Sequence, residues 1–561
     1  MNSLLTGPRT PTSDNRRTPA SGDAHRYRVL MVATIRLSSG SGRWVLLATV
    51  LGSGMAMLDA TVVNVALPRI GDEFGASMAG LQWTVNAYTL TLAGLILLGG
   101  SLGDRFGRRR IFVVGVVWFA LASALCGAAQ GIPMLIAARA LQGVGGALLT
   151  PGSLAIIQAS FAKSDRARAV GAWSGLGGVA GAIGPFLGGW LVGAAGWRWV
   201  FLLNIPLAAV VVLVAVRHVP ETYGSGAADG SASTRPAPES GGPAHEGFDV
   251  LGAFLAALCL AGITYALTMA PEHGSSRTAV VATAVIGVLA GVAFVVVERR
   301  RSARYEAPGH RGGPPPMLPV EIFASRQFSA INAVTFVMYG AMGVVFFLLV
   351  LTLQVVAGFS PMAAGTAMLP ATVLMLLFSA RSGDLAQRIG PRIPITAGVL
   401  LAAAGMLLMM RIGPDASYVA DVLPAALVFG LGLTLAVAPL TATVLATADE
   451  RHAGVASGVN NAVARAAGLL AVAAIPPLTG LTGAAYTDPA AFEHGFREAM
   501  LICAIVMAAA AALTVVTVRD DALRDASPES TPQCKVNCPV AGPPLEPRHA
   551  ESTSGPVGDQ E

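Results

Sequence analysis

Asp59 is the only carboxylate set well inside a long apolar stretch of this 561-residue chain. Arg139 and Arg465 are the only two basic residues so placed. Ionisable groups in such surroundings are costly to desolvate and usually serve function. A carboxylate in an apolar medium beside a cation can do one kind of chemistry well. Burial favours its neutral form and the cation its ionised form, so it can load and unload a proton. Other chemistries lack their residues. No G-x-x-x-x-G-K-[ST] loop is present to hold nucleotide phosphates, since Lys163 precedes Ser164 but follows Ala162. The eight His (25, 218, 245, 273, 310, 452, 494 and 548) fall in tails, linkers and loops, with no H-E-x-x-H and no Ser–His pairing inside a span. Cys534 and Cys538 supply too few ligands for a structural zinc site. Neither an enzyme nor a metal protein is expected.

The composition names the elements that must position the pair. Apolar residues make up 54% of the chain and charged residues 12%, and the mean hydropathy is +0.63. Soluble domains carry about twice that share of charge. A bilayer span takes about 20 mostly apolar residues. Fourteen such segments are readable, at 44–66, 80–102, 110–130, 134–160, 168–194, 198–217, 248–270, 278–298, 328–353, 361–380, 393–411, 421–446, 452–476 and 497–518. The net charge of +5 rests on 35 Arg and 2 Lys. With both termini in the cytoplasm, 30 basic residues fall on the inner side, 5 on the outer side and 2 inside spans. That asymmetry orients the chain and explains its basicity without nucleic acid. The predicted organisation is a tail at 1–43, six helices over 44–217, a linker at 218–247, two helices over 248–298, a linker at 299–327, six helices over 328–518, and a tail at 519–561. The tails and linkers are rich in Pro, Gly and Ser and read as flexible cytoplasmic segments.

Two internal matches point to a duplication. Gly103-Asp104-Arg105-Phe106-Gly107-Arg108 is echoed by Gly383-Asp384 and Arg388-Ile389-Gly390-Pro391-Arg392, and Asp165-Arg166 by Asp449-Glu450-Arg451. The offset spans eight segments, which predicts two six-helix repeats separated by two inserted helices, with a binding site where the repeats meet. Asp59 and Arg139 lie about seven and five residues from the outer ends of their segments, so their depths differ by about 3 Å and neighbouring helices would bring them together. A static ion pair and a proton-coupling pair both fit that placement. Segment 168–194 is dense in Gly, with Gly177, Gly181, Gly184 and Gly188 at close-packing steps around Pro185.

On these residues the chain resembles the major facilitator superfamily, in its fourteen-span drug:proton antiporter branch. The match runs over about residues 44–518. GSLGDRFGRR at 100–109 resembles the loop 2–3 signature, LDATVVNVALP at 58–68 the helix 1 signature, and RALQG at 139–143 the helix 4 signature linked to proton movement. GPFLGG at 184–189 resembles the helix 5 antiporter signature, and WRWVFLLNIP at 197–206 is also typical of the branch. The resemblance implies an all-α major facilitator fold. It also implies a cytoplasmic gate at Gly103, Asp104, Arg105, Gly107, Arg108, Asp384 and Arg388, and an antiporter motif at Gly181, Gly184, Pro185, Gly188 and Gly189. It further implies export rather than uptake, work as a monomer, and a place in the bacterial inner membrane. One departure bears on substrate: 361–380 holds no acid, where relatives exporting divalent organic cations carry one. Monovalent cationic, neutral or weakly anionic lipophilic compounds are expected. Asn86, Tyr88, Asn332, Phe336, Tyr339, Gln354 and Arg465 are the candidate cavity residues.

The function predicted is proton-coupled export of lipophilic drugs or antibiotics by alternating access, with no cofactor and the proton-motive force as the energy source. Export of a single self-made metabolite, uptake by symport, and a transport-dead sensor or scaffold are the alternatives.

Overall fold

The computed structural model describes residues 35–223, 249–272, 275–305, 318, 320–447, 453–483, 485 and 488–520. Most of the two tails and of the linker 218–247, and much of the linker 299–327, lie outside those residues, as do Asp449, Glu450 and Arg451. Among the described residues the chain is helical, and its one β contact is an isolated bridge between Ile35 and Phe161. Helices are what an apolar medium demands, because they satisfy their own backbone groups. The helices are α1 Gly40–Phe74, α2 Met78–Phe106, α3 Arg108–Gly127, α4 Ile132–Ser160, α5 Lys163–Ala194, α6 Arg198–His218, α7 Val250–Met269, α8 Arg277–Tyr305, α9 Arg326–Val355, α10 Pro361–Ile389, α11 Arg392–Met409, α12 Tyr418–Ala446, α13 Ala453–Leu478 and α14 Pro489–Thr517. Thirteen are long and apolar enough to cross a membrane, and α2, bent by 50° between Ile96 and Leu98, makes a fourteenth when counted as one span. The bend precedes the pair Gly99-Gly100, a common site of helix kinks.

Polar residues mark the helix starts. Ser39, Ser77, Asp249, Ser325, Ser360 and Asp488 each accept a backbone N–H from the first turn that follows. The pairing of helices repeats. Contacts α1·α5, α1·α6, α2·α4, α3·α4 and α3·α6 recur as α9·α13, α9·α14, α10·α12, α11·α12 and α11·α14, each shifted by eight. A detail of the loops repeats with them. Gly107 (φ +104°) and Gly390 (φ +91°) adopt a backbone that side chains disfavour. Each abuts a carboxylate just past the last helix of its set, Glu221 and Asp520 respectively. Glu221 also accepts from the Arg109 backbone N–H (2.9 Å).

The inserted pair α7 and α8 pack on each other, and α7 lies against both α2 and α13. Helix α8 runs to Tyr305, seven residues past the apolar stretch, because its basic end leaves the membrane while still helical. A 3-10 turn, Val320–Ala324, also interrupts the segment read as linker. At this end Arg301 pairs with Asp249 and approaches Glu298 at 3.9 Å, while Glu298 accepts the Leu318 N–H (2.9 Å). Both carboxylates are buried. Removing one partner of a buried pair costs about 3 kcal/mol or more. Arg301→Gln should therefore lower the unfolding temperature of the purified protein by several degrees, and adding Glu298→Gln should recover part of the loss. An unchanged melting curve for Arg301→Gln would show that this cluster does not hold α7 to α8.

The core shows which end of the molecule is sealed. One apolar cluster runs without a break from the C-terminal end of α1 (Leu58, Val62, Ile70) through Phe201 to α9 and α14. A second cluster (Val45, Phe112, Phe161, Val211) belongs to the first six helices alone. The two sets thus share a core at the α1–α2 turn end. Gln82 donates to the Val472 carbonyl (2.9 Å), Gln354 to that of Val65 (3.2 Å), and the Met78 N–H to that of Gly483 (2.7 Å), all at this end.

Candidate functional site

Asp59 and Arg139 meet. Arg139 Nη1 donates to Asp59 Oδ2 at 2.5 Å, and both side chains are at most 1% exposed. Five helices build the site. Helix α1 brings the carboxylate. Helix α4 brings Arg139 and, one turn on, Gln142, whose Nε2 donates to Asp59 Oδ1 (2.8 Å) and whose Oε1 accepts from Arg139 Nη1 (2.7 Å). Helix α6 brings Asn204, whose Nδ2 donates to Asp59 Oδ1 (2.9 Å) and to Ser123 Oγ (3.0 Å). Ser123 on α3 donates in turn to the Phe201 carbonyl (2.8 Å). Arg139 Nε donates to the Thr84 carbonyl (3.1 Å), and its guanidinium lies over the Tyr88 ring at 4.3 Å. The close approach of α4 to α2 rests on Gly143, where a Cβ would meet the Tyr88 carbonyl at 2.4 Å.

Asp59 thus receives three side-chain donors. Gln142, Asn204 and Ser123 were not named as site residues from sequence. Gln142 and Asn204 stand inside two of the quoted signatures, and their signal was a buried amide in an apolar run. Asn204 escaped because it lies near the end of its segment, and only the short turn at Arg198–Leu202 carries it down to Asp59.

The other expected residues separate into groups. In the antiporter motif, Gly184 and Gly188 press on α1, where a Cβ would meet Thr61 Oγ1 at 2.1 Å and Val62 Cγ1 at 2.8 Å. Gly189 and Pro185 press on α10, with a Gly189 Cβ 2.5 Å from Met362 Cα and a Gly365 Cβ 2.2 Å from the Pro185 carbonyl. Gly181 departs from the expected close packing: a Cβ there would meet nothing within 4 Å, and Gly177 makes only an ordinary contact with Met57. Arg108 of the gate motif is engaged within its own half. Arg108 donates to Asp104 (2.7 Å) and to the Ala155 carbonyl (3.3 Å), Arg105 lies over the Phe106 ring, and Gly103 approaches Arg108. Asp384 and Arg388 stand on the last turns of α10. Of the cavity candidates, Tyr88 belongs to the Arg139 site and Gln354 to the sealed seam. Asn332 is buried and donates to the Phe328 carbonyl, Phe336 is exposed, and Tyr339 is half-buried. Asn86 and Arg465 face the seam between α2 and α13. A cavity of about 640 Å³, lined by Phe359, Thr366, Pro370, Tyr418 and Leu427 among others, lies on the flank of α10 and α12 and holds none of these residues.

Two similarly packed sets of six helices, sealed together at one end, with a buried ion pair inside the first set, define a helical membrane transporter rather than an enzyme. The comparisons agree. The profile of the Major Facilitator Superfamily matches residues 49–272 and 247–472, and the chain belongs to that family. It is 34% identical over 489 residues to a puromycin resistance protein of Streptomyces alboniger, covering 85% of this chain and 91% of that one. It is 35% identical over 454 residues to a probable actinorhodin transporter of Streptomyces coelicolor (79% and 74% covered). It is 32% identical over 431 residues to a tetracenomycin C resistance and export protein of Streptomyces glaucescens (77% and 74% covered). A crystal structure of a bacterial homolog of the human lysosomal transporter Spinster, inward-facing and unoccupied, superposes with a TM-score of 0.56 at 18% identity, over 87% of this chain and 98% of that one. That likeness shows the fold. The protein is a multi-span transporter of the bacterial cell membrane, of the family that includes these antibiotic and drug resistance exporters.

Proposed function

We propose that this chain is a proton-coupled antiporter that exports lipophilic drugs or antibiotics by alternating access. The observation that carries the reading is the sealed Asp59–Arg139 pair, a carboxylate whose side-chain donors come from α4 and α6 only. A proton arriving at Asp59 would break the bond to Arg139, which keeps Gln142, the Thr84 carbonyl and the Tyr88 ring as partners. Helix α1 would then lose its ionic tie to α4 and keep only the hydrogen bonds that Gln142 and Asn204 donate to Oδ1. In that way a proton changes how the first six helices pack. On this reading the basic-residue asymmetry sets the sealed α1–α2 end outside, which is the state expected to open to the cytoplasm. With the outer end sealed, the loop 2–3 motif is not called on to latch the halves, and its pairing inside one half fits that state. No cofactor enters this scheme, and one chain contains the whole site.

A narrower reading has support of its own. Relatives are named for single compounds, puromycin, actinorhodin and tetracenomycin C among them, so export of one antibiotic is the second reading. Inside-out vesicles with an acid interior test both. Lipophilic cations, neutral antibiotics and lipophilic anions are added in turn while interior pH is followed with a dye. Proton release by several classes supports a drug exporter, and release by one compound alone supports the narrow reading. Substrate uptake into the vesicles that persists after the pH gradient and potential are collapsed would overturn proton coupling.

A further inference from the structure

Arg465 lies midway along the apolar part of α13, Gly458–Leu478, and no hydrogen bond or ion pair satisfies it among the described residues; its Nε is buried without a partner. Asp59, the one carboxylate at comparable depth, is taken up by Arg139, Gln142 and Asn204. The position of Arg465 follows from the seam. Gln82 is bonded to the Val472 carbonyl, which sets α2 against α13. One turn along α2 on the same face stands Asn86, 1% exposed, with its Nδ2 buried and unpartnered. Two turns back along α13 on the matching face stands Arg465. Those steps place the two about 6 Å and about 10 Å below the bond. Tyr88, whose ring carries the Arg139 guanidinium at 4.3 Å, is also within electrostatic reach of Arg465. Helix α7 covers the flank of this seam, with Tyr265 near Trp83.

The Arg465 Nε and the Asn86 Nδ2 are buried donors without partners, Arg465 as a whole being half-buried, and they leave a site that lacks an acceptor and a negative charge. Such a cation is tolerated in a membrane where it lines a pathway or meets a counter-ion. Building on the reading as an exporter, we propose that Arg465 and Asn86 form an anion subsite, and that the exported substrate binds as a monoanionic amphiphile carrying a carboxylate, phenolate or enolate. The subsite is one aromatic ring from the proton site, so the charge of a bound anion is felt at Arg139 and Asp59. It also gives the inserted helices a task, since α7 shields the seam from lipid.

The test uses the purified full-length protein in detergent with two probes of one aromatic body and opposite charge, 1-naphthoate and 1-naphthylmethylammonium. Binding is read by tryptophan fluorescence, with each probe referred to detergent micelles alone. Wild type should bind the anion about tenfold or more tightly than the cation, Arg465→Gln should lose about that factor for the anion, and Arg465→Lys should keep most of it. Asn86→Ala should lose less than Arg465→Gln. Equal affinity for the two ions in wild type, affinity for neither, or undiminished anion binding by Arg465→Gln would overturn the proposal. The wild-type comparison decides even where a variant does not fold. Because binding is measured without a gradient, anion preference with no proton coupling would sink the antiport reading and leave the subsite standing.

Discussion

Asp59→Asn should abolish uphill export while leaving the protein folded in the membrane. Asn keeps the shape of the side chain and can still accept from Gln142 or Asn204, but it cannot take up a proton. The loss is therefore of coupling. One proton returning through about 100 mV supplies about 2.3 kcal/mol, and a pH difference of one unit adds about 1.4 kcal/mol. For a neutral substrate that sum sustains an accumulation of several hundred-fold, and the variant should fall to none. It should still exchange labelled for unlabelled substrate across the membrane, because exchange needs no net proton movement. Accumulation at wild-type level in energised vesicles would show that Asp59 does not carry the proton. Arg139→Gln separates the two roles first left open for the pair. It leaves a sealed carboxylate without its cation, at a cost of about 3–5 kcal/mol when one partner of a buried pair is removed. A purely structural pair predicts that Asp59→Asn with Arg139→Gln recovers transport along with stability; a coupling pair predicts that it recovers stability alone.

Gly189→Ala should cripple transport through the seal rather than through the site. The added Cβ would stand 2.5 Å from Met362 Cα, 2.6 Å from the Pro361 carbonyl oxygen and 2.9 Å from Met362 N. All three are backbone atoms, so no side chain can swing aside. Overpacking of this kind costs about 1–3 kcal/mol, and only in the state where α5 and α10 touch. Each 1.4 kcal/mol is a factor of ten in a two-state population, so the sealed state should lose roughly 5- to 150-fold relative to the state in which this end is parted. A cysteine in place of Gln354, on a background without the other cysteines, should then react with a water-soluble maleimide correspondingly faster. Gly365→Ala, aimed at the Pro185 carbonyl from the other side, should act alike. Gly181→Ala, with open space around it, should leave both labelling and export near wild type. Equal effects at 181 and 189 would mean that the motif acts through helix flexibility and not through this contact.

That contrast shows where sequence reading reached its limit. Gly177, Gly181, Gly184, Gly188 and Gly189 are one residue type on one helix, and spacing alone assigned them one task. Packing separates them: Gly184 and Gly188 press on α1, Gly189 presses on α10 across the seam, and Gly181 has open space where a Cβ would stand. The Asp59–Arg139 pair was more legible, because depth in a helix grows by a fixed rise per residue and a bilayer has only one deep acid here to offer. The rest of that site was not legible. Gln142 and Asn204 are neutral amides, whose burial costs less than that of a charge and so marks them more weakly, and Asn204 reaches Asp59 only through the fold of the short turn at Arg198–Leu202 that opens α6.

Length, charge asymmetry and apolar runs determined from sequence that this is a helical membrane protein with about fourteen crossings and a repeated plan. The bilayer permits so few backbone solutions that hydropathy nearly dictates the elements. The tertiary structure alone decided which end of the bundle is sealed, which polar atoms are left without partners, and that α7 lies against α2 and α13. Those are properties of distances between segments hundreds of residues apart, such as Gln82 and Val472, and they depend on side-chain packing that periodicity along one helix does not encode.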